Sequence, residues 1–373
     1  MLNIQEIDVE NMHELEPALD KKGNSVAGNR ILELLSSKLQ LSIFQYINII
    51  NAKRFFRRFI MQNSMIIYPD ELSREWIDEM VEAGVKTLGI HSRGGDWAVG
   101  AIKKLIEQMK TAEYRELIDY ARSRGLGIEY EMHAAGYLMP RELFAEHPEY
   151  FRMNSAGERT DDHNFCVSNA EAMSICAKRS VELAMSLYGS NRDFYFWMDD
   201  GHDLHCHCPK CRDLSPSDQQ LMVMNSILKE IRAQLPDARV AYLAYIDTVL
   251  PPTSVSAEDG IFLEYAPFQK YTAKGEDAPM LIQQEKDMLQ PLMRFFGNGP
   301  KKVLEYWYDN SLFSRWTKPP QPFTLNEEAM IKDVAEYREM GFDMISTFAC
   351  FLGKEYRDLH GEVDVKPFGA CMK

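Results

Sequence analysis

From about Ser64 onward, short apolar runs alternate with longer amphipathic stretches. The runs "SMIIYP", "VKTLGIHS", "IEYEMHAAGYLM", "DFYFWMDDG", "RVAYLAYIDT", "GIFLEYAP", "KKVLEYWYDN" and "FDMISTFACF" are rich in β-branched and aromatic residues. They predict eight strands, beginning near Met65, Thr87, Ile128, Phe194, Val240, Phe262, Val303 and Ile345. Between them, stretches such as "ELSREWIDEMVEAG", "TAEYRELIDYARSRGLG" and "NAEAMSICAKRSVELAMSLYG" place apolar residues at three-four spacing, the period of a helix with one buried face. "SPSDQQLMVMNSILKEIRAQLPDA" adds a serine cap to the same pattern.

Strands separated by helices demand a parallel sheet, and eight such units fit a closed (β/α)8 TIM-type barrel better than an open sheet. Two irregularities are expected. The connection from Thr248 to Gly260, "VLPPTSVSAED", is too short and proline-rich for a full helix. The tail "GKEYRDLHGEVDVKPFGACMK" is polar and broken, which predicts no clear helix after the last strand. Residues 1–63 lie outside the alternation. Their segment "AGNRILELLSSKLQLSIFQYINIINAKRFFRRFI" reads as one or two helices with a wide apolar stripe. It predicts an N-terminal helical extension or small subdomain over 1–63, packed on the barrel (64–373) or on a partner subunit, which leaves a homo-oligomer open.

Composition narrows the partners. A net charge of -14 over 373 residues argues against nucleic acid or an anionic membrane, since both are polyanions. The opening "MLNIQEIDVENMHELEP" lacks the apolar core of a secretory signal, and "LQLSIFQYINII" (Leu39 to Ile50) is too short to span a bilayer. Seven cysteines, an odd number, favour reduced thiols or a metal site in the cytoplasm over a disulfide framework.

In such barrels chemistry belongs to the C-terminal ends of the strands. Those ends carry His91 and Arg93, Glu131 and His133, Asp199 and Asp200, Tyr245 and Asp247, Glu264 and Tyr265, then Glu305, Trp307, Tyr308 and Asp309. Carboxylates with aromatic rings at one mouth suit sugar chemistry. One acid protonates a leaving oxygen, and aromatic faces stack on the apolar face of a pyranose. The predicted substrate is therefore an oligosaccharide or glycoside, bound by His91, Arg93, Glu131, His133, Tyr245, Glu264, Tyr265, Glu305, Trp307 and Asp309. Asp200 is the predicted general acid and Asp199 the orienting group, with Glu264, Glu305 and Asp309 binding hydroxyls or supplying the opposing carboxylate. No organic cofactor is called for.

Just beyond the acids stands "HCHCPKC". Cys206, Cys208 and Cys211 supply three soft ligands, with Cys166 a fourth if the chain folds back, or His205 or His207 in its place. Four thiolates make a closed tetrahedral zinc site, whereas catalytic zinc keeps an open position and usually takes His or carboxylate. The cluster reads as a structural clip, with free thiols or a disulfide as the alternative.

"HPEYFRMNSAGERTDDHNFCVSNAEA" (His147 to Ala172), followed by "DDGHDLHCHCPKCRDLSPSDQQLMVMNSILKEI", resembles the domain-of-unknown-function 4838 family of the barrel glycoside hydrolase superfamily. The resemblance is strongest over roughly Arg141–Tyr271. It departs at Asp199, where the family more often has Asn, and at Ala170, where Pro is common. The Asp-Asp pair on a fourth strand is also similar to the family-eighty-four N-acetylglucosaminidases, and the family-twenty hexosaminidases carry Asp-Glu there. That similarity implies a substrate-assisted route, in which Asp199 orients the sugar's own acetamido group and Asp200 protonates. Two other classes stay open. One is a metal-dependent hydrolase with ligands among His91, His133, His202 and Asp199, and the other is a non-catalytic carbohydrate-binding barrel.

Overall fold

The computed structural model describes residues 61–372. The predicted extension over 1–63 lies outside them except for Met61 to Asn63, of which Gln62 and Asn63 open the first strand. Eight parallel strands close into a barrel in sequence order. They are β1 (Gln62–Ile67), β2 (Thr87–His91), β3 (Gly127–His133), β4 (Asp193–Trp197), β5 (Arg239–Ala244), β6 (Ile261–Tyr265), β7 (Lys301–Glu305) and β8 (Met344–Phe348). β1 pairs with both β2 and β8, which closes the ring. Every strand begins within three residues of its predicted start.

The helices that wrap the barrel are α1 (Arg74–Ala83), α2 (Ala98–Gln108), α3 (Ala112–Ser123), α4 (Ala170–Ser186), α5 (Pro216–Arg232), α6 (Ala278–Phe295) and α7 (Glu327–Met340). Their starts are written in the sequence. Ser73, Thr111, Asn169, Ser215 and Asn326 each accept a backbone N–H of the first turn, satisfying a donor that the helix itself leaves unpaired. α2 was not anticipated, because "AVGAIKKLIEQ" is short and follows a glycine-rich turn.

Alternation along each strand divides two apolar layers. Residues such as Met65, Leu88, Ile128, Phe194, Val240, Leu263 and Ile345 pack outward against the helices. Ile66, Tyr195, Trp197, Leu243, Phe262, Leu304 and Phe348 fill the barrel itself. Both faces of the sheet are buried, as a parallel barrel requires.

The β5–β6 crossover has only the 3-10 turn Ile246–Thr248 in place of a helix, as expected. Asp218 of α5 holds the rest of that loop by accepting the N–H groups of Thr253, Ser254 and Val255. The expectation for the tail is corrected. Two short helices follow β8, α8 (Lys354–His360) and α9 (Lys366–Cys371). They carry too few turns to display a period, and their anchors are single buried residues, Tyr356 and Phe368.

Candidate active site at the C-terminal mouth

β4 ends at Trp197, and the two acids follow where the strand no longer constrains their directions. Asp199 turns back. Its Oδ1 accepts the N–H of Gly136 at 3.2 Å and its Oδ2 accepts Arg141 Nη2 at 3.0 Å. Its own N–H donates to Asn164 Oδ1 at 2.9 Å. Gly136 makes room there, since a Cβ would stand 3.0 Å from Arg141 Nη2 and 3.2 Å from Val99, and would press on the guanidinium that holds Asp199. Asp200 is exposed. It lies beside the hydroxyls of Tyr245 and Tyr306, both pushed up first by burial, with the Asp200 charge adding to the effect. Gly201, at φ 153°, turns the chain away immediately after it.

Beneath these acids the mouth is lined by rings. His91 lies 5.6 Å from Trp197, 5.1 Å from Phe348 and 6.0 Å from Tyr68, centroid to centroid. His133 packs edge-on to Trp197 at 5.1 Å. Each histidine donates Nδ1–H to a carbonyl, His91 to Glu131 O and His133 to Met198 O, which fixes the tautomer and leaves Nε2 as the free nitrogen. Burial lowers His91 to about 3, so its ring is neutral. A cavity of about 50 Å³ sits between His133, Asp199, His205, Leu243 and Tyr245.

Lower in the barrel Lys302 Nζ stands 2.6 Å from Glu131, 3.1 Å from Glu129 and 3.5 Å from Glu264. Burial raises Glu131 to about 7 and Glu264 to about 8, each opposed by Lys302. Glu264 Oε2 also accepts Trp197 Nε1 at 2.8 Å, tying this polar floor to the aromatic layer. Glu131 and Glu264 are thus inside the barrel but fully buried under the mouth.

Three residues expected at the mouth face the helix layer instead. Tyr265 follows the inward Glu264, points outward and donates to Glu285 of α6. Glu305 accepts the hydroxyls of Tyr271 and Tyr337 and pairs with Lys270. Trp307 donates Nε1–H to Asp333 of α7. The one-residue pleat decides this, because Lys302 and Leu304 of β7 point inward and Glu305 between them and the loop does not. Asp309 is buried and caps the one-turn helix Asn310–Phe313, accepting Ser311 N–H, Leu312 N–H and the Ser311 hydroxyl. Burial raises it to about 6. Arg93 is at the rim, with its guanidinium over the Trp97 ring at 4.7 Å. Asp247 accepts from His202 and from the Asp203 N–H.

Residues the sequence did not single out include Arg141, Asn164, Tyr306 and Lys302. Lys302 had a signal. A lysine pair opening a strand buried on both faces implies a buried carboxylate partner. Arg141 had none, because its contact with Asp199 spans 58 positions. Among the described residues five non-glycine residues have positive φ: Asp203, Ile246, Arg315, Trp316 and Phe351. All five lie in loops that follow strands at the mouth face, where backbone strain gathers at functional sites.

Cys166, Cys206, Cys208 and Cys211 come together, buried, with all ligand atoms within 4.8 Å of one another. The Sγ of Cys166 is 3.7 Å from Cys208 and 3.9 Å from Cys211, beyond disulfide length, and all four cysteines are free thiols. A zinc–sulfur bond of about 2.3 Å implies tetrahedral edges of about 3.8 Å, so the residues fit that ion. Met153 N–H and Arg159 donate to Cys206 Sγ, and Gln219 bonds the backbone of Cys206 and Cys211. A second group, Asp203, His205 and His207, also converges within that limit. His91, His133, His202 and Asp199 form no such group among the described residues, so the structure does not bring together the ligands expected for a metal-dependent hydrolase.

A family model described as a domain of unknown function, DUF4838, matches residues 46–290. Among solved structures the barrel is similar to the beta-galactosidase of the psychrophilic Marinomonas ef1. The TM-score is 0.51 at 13% identity, over 84% of this chain and 58% of that one. Endo-glycoceramidase II from Rhodococcus sp. is similar with a TM-score of 0.47 at 11% identity, over 78% and 73%. The chain therefore spans just over half of the beta-galactosidase, and at this identity the likeness concerns the fold. A 28-residue stretch is 75% identical to a glutaminase of Clostridioides difficile (strain 630), covering 8% of this chain and 9% of that protein. No helix among the described residues is long and apolar enough to cross a membrane.

Proposed function

The chain belongs to the DUF4838 family and folds as a glycoside hydrolase-like barrel, and from that premise we propose that it hydrolyses an oligosaccharide with Asp200 as general acid. The observation that carries this reading is the division between the two acids. Asp199 is fixed by Arg141 and Gly136, while its neighbour Asp200 is left exposed over an aromatic mouth. A carboxylate held by an ion pair orients, and an exposed one at the rim can give its proton to a leaving glycosidic oxygen. The ring of Tyr245, part-exposed in the cavity wall beside Asp200, suits the apolar face of a pyranose.

The other carboxylates bear on the route. Glu131 and Glu264 share Lys302, Asp309 caps a helix, and Glu305 faces away from the mouth. No unengaged carboxylate is therefore available as nucleophile among them. This favours substrate assistance. The acetamido oxygen of an N-acetylhexosamine attacks its own anomeric carbon, Asp199 steadies the acetamido N–H, and Asp200 protonates the departing oxygen. Water then opens the cyclic intermediate with Asp200 as base.

The four cysteines would hold a structural zinc that ties the loop after β4 to the Phe151–Cys166 segment, and no step of the hydrolysis passes through it. Thiols without a disulfide suit a reducing compartment such as the cytoplasm. One observation favours a second reading, a metal-dependent hydrolase. Asp203, His205 and His207 converge on the same loop with ligands that leave positions open.

A panel of aryl glycosides tests both. Hydrolysis confined to N-acetylhexosamines and indifferent to chelator supports the proposal. Hydrolysis of plain hexosides removes the acetamido route, and activity abolished by chelator and restored by metal favours the second reading.

A further inference from the structure

A groove of about 410 Å³ opens beside the mouth, between the loops that follow β1, β2 and β8, and the catalytic proposal does not use it. Its volume falls within the range of small-molecule sites, about 300–1,000 Å³. Trp97 on its wall is 59% exposed, an unusual state for the largest apolar side chain. Arg93 covers the Trp97 ring at 4.7 Å and donates to the carbonyl of Trp316. Ser92 also lines the groove. It is 2% exposed, and its hydroxyl has no hydrogen-bond partner. A buried hydroxyl left unpaired in a cavity wall is a place for a ligand's polar group.

We infer that this groove is a second saccharide subsite, holding a neutral sugar unit linked to the one at Asp200. The inference rests on the glycosidase reading and deepens it by naming a substrate of at least two units. Continuity supports the link. Tyr68 lines the groove and lies 6.0 Å from His91 of the mouth and 5.8 Å from Phe351, ring centroid to ring centroid. Charge supports a neutral occupant. Lys318 is paired with Glu355 at 2.5 Å, and the other lining cations, Arg93 and Lys104, equal the lining acids, Asp70 and Asp96, in number. Balanced donors and acceptors around an indole suit hydroxyls on a ring with one apolar face, not a carboxylate or phosphate. Phe351 and Trp316, which border Arg93, are both held at positive φ, a cost that a prearranged binding wall explains.

The test is binding to the full chain carrying Asp200→Asn. Probes are the mono-, di- and tetrasaccharides of glucose, galactose, mannose, xylose and N-acetylglucosamine, followed by calorimetry and the Trp97 indole N–H resonance. In at least one series affinity rises from mono- to disaccharide, the Trp97 resonance shifts, and Trp97→Ala lowers the disaccharide affinity about 2- to 10-fold. Ser92→Ala lowers it as well. Trp97 is exposed, so its replacement leaves the fold intact, which melting temperature checks. No gain from mono- to disaccharide in any series overturns the subsite, as does a gain that survives Trp97→Ala. The two readings fail separately. A Trp97-dependent gain without hydrolysis by the unaltered chain sinks the glycosidase reading alone. Hydrolysis with a Trp97-independent gain sinks the subsite alone.

Discussion

Arg141 Nη2 lies 3.0 Å from Asp199 Oδ2, and this ion pair restrains one of two adjacent carboxylates. Both partners are largely shielded, with side chains 23% and 12% exposed, so the pair is held by geometry as well as charge. Asp200, one residue on, is exposed and meets the Tyr245 hydroxyl in place of a cation. Asp200→Asn should lower turnover about 10²–10⁴-fold on a substrate with a poor leaving group. On an aryl glycoside whose leaving group needs no proton the loss should be much smaller. Equal losses on both substrates would give Asp200 another role.

Arg141→Met leaves Asp199 with only the Gly136 N–H as a fixed donor. We expect kcat to fall while KM for the same glycoside changes little, because orientation in the transition state is what is lost. A rise in KM alone would make Arg141 a binding group.

The cysteine edges of 3.7 and 3.9 Å lead to a metal prediction. Purified protein should carry one zinc per chain, and Cys208→Ser should lose it and melt several degrees lower. The folded fraction should keep its activity within a few-fold. Elemental analysis without metal, together with four reactive thiols in the native chain, would remove the clip.

The barrel was legible because both of its periods are local. Strand and helix patterns repeat within a dozen residues, and caps such as Ser215 sit beside the helices they start. The site was legible only in part. Asp199, Asp200, His91 and His133 could be placed because they directly end strands or follow them. Glu305 and Trp307 were misplaced by the same reasoning, since a strand end names a face only when the pleat's phase is known. The phase of β7 is set by Lys302, whose three acidic partners come from β3 and β6. Such contacts are absent from any local pattern, as is the Arg141–Asp199 pair.

The outward placement of Glu305 can be checked directly. Glu305→Gln removes the charged acceptor shared by Tyr271, Tyr337 and Lys270, and should cost about 1–3 kcal/mol of stability. Activity per folded molecule should hold. Unchanged stability with a hundredfold loss of turnover would return Glu305 to the mouth.

The buried floor makes stability depend on pH with a definite sign. Glu131 and Glu264 rise from an ordinary value of 4.5 to about 7 and about 8, chiefly through burial. Between those limits the folded chain holds protons that the unfolded chain has released, so rising pH favours unfolding. His91, lowered from 6.5 to about 3, acts oppositely, but only below 6.5. Lys302 is raised from 10.5, against burial, by its three carboxylates, and changes nothing below 10. Between pH 6.5 and 8 Glu71 and Glu285, each raised to about 7 by burial, contribute in the same direction, whereas cysteine ligands held as thiolates in the folded chain contribute in the opposite one, so only a comparison of variants isolates Glu264. Each proton held contributes a slope of up to about 1.4 kcal/mol per pH unit. Denaturant unfolding at several pH values across this window gives the slope of stability for the unaltered chain and for a variant that lacks one of these acids. Glu264→Gln, which mimics the protonated acid and can still accept Trp197 Nε1–H, should lose less stability with rising pH, or gain more, than the unaltered chain. Parallel curves for the two proteins would mean that Glu264 is ionised throughout, and that Lys302 compensates all three of its carboxylates.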